Sequence, residues 1–300
     1  MKQLNKWIIT SAFIVFSIVA LQAQVLRSSA SSFLEEDPVF EASFMKQKQV
    51  FTIIGTPYEK RTLEKMIPLG KKFVYHFDRK GRMFKKEVIF TDLSNLREPK
   101  NTNYLYDSLG QVLMEKTNEY NSYFADYYEY DYKGRVKVKS SYREKGTRNE
   151  DGEILVSERE LLSRKNYSYQ PVQNGVKRHY HNNYGRIYKY DLTRYNEDGL
   201  IETIKTQYLA AKNYAWKRFY YNAYQLPTRI EQNENGRISE LVISYDKKHR
   251  LLKQDVYYGS ELQFTTEYVY NDQGLLSGQI RMDHTNDYMV IYQYEYTFYR

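Results

Sequence analysis

The sequence predicts an all-β protein, an antiparallel meander of repeated β-hairpins forming a curved open sheet or partial shell. Three observations carry this. Tyrosine fills 33 of 300 positions, beside 14 phenylalanines and only 6 prolines, and it favours strands while covering apolar area with its ring and keeping a hydroxyl that can face water. A short turn signal recurs along the chain. Between its copies apolar and polar residues alternate with period two, as in Val136 and Val138 against Lys137 and Lys139, or Leu276, Ile280 and Met282 against Ser277, Gln279 and Arg281.

At the amino terminus, Lys2 and Lys6 precede an apolar run from Trp7 to Val19 that closes on Leu21-Gln22-Ala23. This reads as a cleavable signal peptide over residues 1–23, leaving Gln24 as the new terminus. The run is shorter than the roughly 20 residues of a spanning helix. With no cysteine in the chain, a lipid anchor, disulfides and thiolate chemistry are all excluded, and the exported fold must hold by packing and hydrogen bonds. The expected localisation is periplasmic, cell-surface or secreted. Formal net charge is +8, or +6 without Lys2 and Lys6, which fits a mixed solubilising surface.

Residues 24–50, serine-rich and mixed in charge, read as a linker or amino-terminal arm, and residues 51–300 as the repeat domain. Thr56-Pro57-Tyr58-Glu59 reads either as a capping box opening a short helix with Leu63, Met66 and Ile67 on one side, or as a strand of an early repeat. Residues 142–166 interrupt the period with a charged insertion that includes Glu158, Arg159, Glu160, Arg164 and Lys165, expected to be a flexible loop.

The turn signal has one layout. In Tyr106-Asp107-Ser108-Leu109-Gly110 and Tyr130-Asp131-Tyr132-Lys133-Gly134 a tyrosine precedes Asp, two variable residues follow, then Gly. Phe77-Asp78 to Gly81 opens the series, and Tyr195-Asn196 to Gly199 and Tyr270-Asn271 to Gly274 repeat it with Asn. Degenerate copies stand at Tyr221-Asn222 to Gln225 and Tyr245-Asp246 to His249. Asp or Asn accepts hydrogen bonds from amides further along the turn, and Gly supplies the positive φ of a type I turn with a bulge. The spacing is 29 residues from Gly81 to Gly110 and 24 from Gly110 to Gly134, room for two strands of about nine residues and two reversals. Aromatic rings before successive turns are expected to stack in cross-strand ladders.

On these residues the chain resembles the YD-repeat family, the tyrosine-aspartate unit also seen in Rhs-type shell proteins. The resemblance covers about residues 73 to 299. Large members of that family are hollow shells wound from a β-sheet ribbon, some enclosing a toxic carboxy-terminal domain. This chain departs from them, being short, with degenerate copies and a final strand expected at Tyr288 to Tyr299 without a cargo domain, so a short curved sheet is expected in place of a closed shell.

Catalytic signatures are sparse. His76, His179, His181, His249 and His284 are the histidines. His179 and His181 fall on one strand face and are weak metal candidates, but no further spaced ligands accompany them. No Gly-x-Ser-x-Gly or phosphate loop is present. Carboxylates such as Glu35 with Glu36, or Asp126 with Asp131, have nothing that brackets a substrate. The expectation is a non-enzyme without cofactors. The stretch Lys212 to Phe219 interleaves aromatic and basic residues, but export argues against nucleic acid. The leading reading is a non-catalytic exported binding or scaffold module, with Trp216, Tyr214 and Phe219 as candidate contacts for a glycan, an envelope polymer or a surface protein. The alternatives are an outer-membrane β-barrel or a shell-type structural protein of the Rhs kind.

Overall fold

The computed structural model describes residues 25–26, 38–91, 98–149, 154–211, 214–234 and 236–300. The signal peptide at 1–23, Glu35 with Glu36, and the pair 212–213 lie outside the described residues. A two-stranded piece, β1 (Val25–Leu26) and β2 (Val39–Phe40), comes first, followed by a short helix, α1 (Ala42–Gln47). The main sheet then runs through β3 (Val50–Arg61), β4 (Ile67–Pro68), β5 (Lys71–Phe77), β6 (Met83–Phe90), β7 (Lys100–Tyr106), β8 (Val112–Glu119) and β9 (Ser122–Tyr130). It continues with β10 (Val136–Arg148), β11 (Ile154–Val172), β12 (Gly175–His181), β13 (Ile187–Tyr195), β14 (Ile201–Tyr208), β15 (Tyr214–Tyr221) and β16 (Pro227–Glu234). The last strands are β17 (Arg237–Tyr245), β18 (Leu251–Tyr258), β19 (Glu261–Tyr270), β20 (Leu276–Asp283) and β21 (Tyr288–Phe298).

Long strands pair antiparallel in chain order, β3 reaching past the stub β4 to β5. The meander then closes, because β21 pairs with β3 from Tyr288 against Arg61 to Phe298 against Val50. The result is a closed barrel of 18 long strands. The all-β antiparallel meander is as expected, but the open sheet or partial shell is replaced by a ring, which leaves no unpaired sheet edge.

The turns explain why this sequence meanders so regularly. Two backbone bonds, such as Gly81 N to Asp78 O at 2.8 Å and Asp78 N to Arg82 O at 2.9 Å, recur at eight turns starting at Asp78, Asp107, Asp131, Asn182, Asn196, Asn222, Asp246 and Asn271. The fourth residue of each has positive φ: Gly81, Gly110, Gly134, Gly185, Gly199 and Gly274, but also Gln225 at 60° and His249 at 61°. The degenerate copies thus keep the left-handed conformation without glycine. The turn at Asn182 was missed because His181 stands where tyrosine is expected. Replacing Gly134 (φ 74°) with Val should destabilise the fold by at least about 1 kcal/mol more than Lys133→Val. Its added Cβ would stand 2.7 Å from Gln111 Nε2, which donates to Gly134 O at 2.8 Å, so the difference combines backbone strain with the displacement of that side-chain amide. Equal denaturation midpoints for the two variants would refute the turn assignment.

Tyrosines before the turns do something other than stack on one another. Asp78 Oδ1 accepts from the Lys80 and Arg82 amides, and Oδ2 from Arg82 Nε at 2.8 Å. The Arg82 guanidinium then lies 4.8 Å from the ring centre of Tyr106, and the Tyr106 hydroxyl donates to Met83 O at 2.7 Å. Each hairpin is stitched to the one before it. The same hydroxyl-to-carbonyl bond joins Tyr130 to Val112, Tyr221 to Ile201, Tyr245 to Pro227, Tyr270 to Leu251 and Tyr296 to Leu276. Arg135 and Arg250 repeat the clasp on Tyr169 and Tyr270. Ring ladders give way to these bonds because a buried phenol needs a partner, and the carbonyl of the first residue of the strand after each turn, next to the bulge, accepts it.

Of the two readings of Thr56-Pro57-Tyr58-Glu59, the strand holds: the segment lies within β3, where the tertiary pairing with β21 overrides the local capping signal. One further expectation changes. The insertion at 142–166 is mostly ordered strand, the long β10–β11 hairpin, in which Glu144 faces Arg159 and Arg143 faces Glu160, so its alternating charges are cross-strand partners. Only its tip, 150–153, lies outside the described residues.

The arm expected at 24–50 also contributes to the core. Glu41 caps α1 by accepting from the Ser43 and Phe44 amides, and Phe44 and Met45 are buried with Val50, Ile53, Tyr75, Phe77, Leu251 and Leu276. Register places Ile230, Leu241, Val256 and Phe264 on one sheet face. Tyr268, Gln279, Tyr292 and Pro57 share that face with them. It is the more buried face over this half of the wall, and α1 packs against it. Curvature crowds side chains on the inside of a ring and splays them outside, so this is the inner face. Ile238, on the other face, is 53% exposed.

Candidate functional site

The three candidate contacts do not form one site. Trp216 pairs in register with Lys205 and Asn233, and Tyr214 with Gln207, which puts both on the outer face. Phe219 pairs with Ile230 and packs against the core from inside. The odd spacing between Trp216 and Phe219 already implies opposite faces. Tyr214 is exposed and Trp216 half-buried. Lys205 Nζ sits 3.8 Å from the Tyr214 ring centre and the Arg218 guanidinium 5.0 Å from that of Trp216.

His179 and His181 do share a face, as their spacing predicts. His181 is engaged by Ser168 Oγ at 2.8 Å and by Gly185 O at 3.0 Å. The His179 pKa is held below the ordinary imidazole value by burial and by the nearby Lys177 and His181. No cluster of three or more His, Cys, Asp or Glu with metal-binding geometry occurs among the described residues.

Two polar clusters escaped the sequence reading. On the inner face, Asp191 is buried and accepts from Arg178 at 2.6 Å, the Tyr180 hydroxyl at 2.5 Å and Thr206 at 2.7 Å. Burial raises its pKa, but these three donors outweigh burial and hold the carboxyl below its usual range. On the outer face, Glu144 is buried between Lys116 at 2.7 Å, Arg159 at 3.3 Å and the Tyr127 hydroxyl at 2.8 Å. Arg159 lies between the rings of Tyr127 and Tyr142, at 4.3 and 3.8 Å. Beside this cluster is a recess of about 440 Å³, lined among others by Leu105, Met114, Ser140 and Arg164. Both clusters are saturated by their own partners and join residues up to 43 positions apart, so only register reveals them.

The closed antiparallel ring defines the chain as a β-barrel, the architecture that the outer-membrane alternative calls for. No family model matches the chain, and no curated protein matches it. Among solved structures it is similar to a porin-like protein from Bacteroides uniformis ATCC 8492, with 12% identity and a TM-score of 0.39, covering 83% of this chain and 98% of that one. It is also similar to a porin-like protein from Bacteroides vulgatus ATCC 8482, with 12% identity and a TM-score of 0.34, covering 72% and 98%.

Proposed function

We propose that the protein is an exported, non-catalytic β-barrel whose outer face works in water as a binding or scaffold surface toward an envelope glycan or polymer. The observation that carries this is the distribution of charge across the wall. The outer face bears Lys85, Glu87, Lys116, Lys205, Arg218, Arg229, Glu231, Glu240, Asp255 and Glu267 within its strands. The inner face bears Lys86, Glu115, Asp126, Lys139, Arg178, Lys189, Asp191 and Lys217. Neither face offers an apolar belt. Arg or Lys on the lipid face of a barrel costs about 2–4 kcal/mol at the bilayer midplane, so several together exceed the stability of an ordinary fold. The turn stitch supports reading the chain as a degenerate YD-like repeat.

A second reading, an outer-membrane β-barrel, is favoured by the closed ring itself and by strands mostly of seven to ten residues. Membrane fractionation separates the two. The aqueous reading expects release from envelope membranes by high salt at neutral pH. Release only by detergent overturns it in favour of the inserted barrel.

A further inference from the structure

On the outer face of β12 to β15, the register aligns three rows that cross the strands. One runs Lys177, Leu192, Lys205, Trp216; the next His179, Tyr190, Gln207, Tyr214; the third Gly175, Arg194, Thr203, Arg218. Cations recur on alternate strands within a row, about 10 Å apart at the usual strand spacing. No acid shares this face: of the two acids in these strands, Asp191 points inward and Glu202 falls in the irregularity at the start of β14. Glu231, next in register to Arg218, is held by the Tyr220 hydroxyl at 2.8 Å and by Arg229 at 3.4 Å. Lys177, Arg194, Lys205 and Arg218 form no ion pair among the described residues. Aromatic rings hold three of them in place: Lys177 lies 3.8 Å from the Tyr190 centre, and Lys205 and Arg218 lie against Tyr214 and Trp216. Elsewhere on the outer face Lys85, Lys116, Arg229 and Lys253 are each paired to a carboxylate, while Lys60 and Lys72 form no ion pair among the described residues but do not stand in such rows.

We infer that this face of β12–β15 binds an acidic polysaccharide, with Lys177, Lys205, Arg194 and Arg218 meeting its carboxylates or sulfates and Tyr214 and Trp216 stacking on its sugar rings. The inference rests on the reading that the outer face meets water. A flat sheet with fixed rows of cations suits a polymer whose charges repeat, and unpaired cations seated on rings lose no partner when an anion arrives. Histidine adds no charge at neutral pH through His179, which is held neutral there.

Binding of the exported protein to polygalacturonate tests it, with dextran as the neutral polymer and oligo-deoxythymidine as the competing polyanion. Polygalacturonate is expected to bind and dextran not, with affinity falling as salt rises. Lys205→Ala with Arg218→Ala should weaken binding at least tenfold, while Lys205→Arg with Arg218→Lys should largely retain it. Trp216→Ala should weaken it several-fold, and a chelator should leave it unchanged. Lys60→Ala with Lys72→Ala removes the same charge from the outer face of β3 and β5 and should have little effect. Equal loss in that control pair, equal binding of dextran, or displacement by the oligonucleotide at lower concentration than by galacturonate oligomers would overturn the proposal. Lost binding with successful salt extraction overturns this inference alone; retention in lipid overturns the reading beneath it.

Discussion

Gly81→Ala is expected to cost about 3 kcal/mol or more, whereas Gly110→Ala, in the same turn position, should cost only about 1 kcal/mol. Both residues sit at positive φ, 79° and 86°. What separates them is space. A Cβ on Gly81 would stand 2.0 Å from Ala42 O and 2.6 Å from Lys46 N, whereas nothing lies within 4 Å at Gly110. Because the obstacles are backbone, α1 must leave its seat, and with it the burial of Phe44 and Met45, worth roughly 1.5–3 kcal/mol each. The readout is the difference in denaturation midpoints, together with new protease cleavage in residues 38–49 of the Gly81 variant. Equal costs at the two glycines would mean that α1 does not dock on this turn.

Alkali should unfold the barrel between about pH 10 and pH 12. Burial disfavours the Tyr106 phenolate and pushes its pKa up to about 12, with Arg82 offsetting part of the effect. Burial and the Glu144 carboxylate likewise push Tyr127 up to about 12. Tyr130, Tyr169, Tyr221 and Tyr270 are raised for the same first reason, burial. The unfolded chain ionises its tyrosines near 10 while the folded one keeps their protons. Their contribution is therefore complete below pH 10 and disappears as pH climbs through the folded-state values. Circular dichroism and phenolate absorbance should change together in one cooperative step. Tyr106→Phe and Tyr270→Phe should each lower stability at neutral pH by about 1 kcal/mol. Gradual titration near pH 10 with an unchanged strand signal would sink the idea that these hydroxyls hold the wall.

The turns were legible because each is local: Asp or Asn, the positive-φ residue and the bulge lie within five positions, and the physics that selects them acts over the same span. Even His249 and Gln225 declared themselves by their place in the period. Closure was not legible, because the pairing of Tyr288 with Arg61 joins residues with no sequence signal in common, and an open curved sheet has the same alternation as a closed one. The hydroxyl targets of the tyrosines were invisible for a related reason. Tyr270 and Leu251 meet only once the register is fixed, and nothing in a tyrosine says which carbonyl it will find. At the candidate surface, period two placed Trp216 with Tyr214 and should have set Phe219 apart from them. The acid-free rows needed four strands in alignment before they existed at all.

The seam between β3 and β21 has a consequence for how the barrel is made. Every other long-strand pairing joins neighbours along the chain, so hairpins can zip one onto the next with short loops to close. The seam alone spans more than 200 residues, from Arg61 to Tyr288, and its loop entropy is met only after the rest of the wall exists. Until that last step the chain is a curved ribbon with two bare edges, each complementary to the other. Two ribbons offer the same pair of edges to each other as one ribbon offers itself, so ring closure competes with linking into swapped dimers. The outcome at the seam is therefore a race whose odds are set by protein concentration during folding, a kinetic choice that the finished barrel no longer displays.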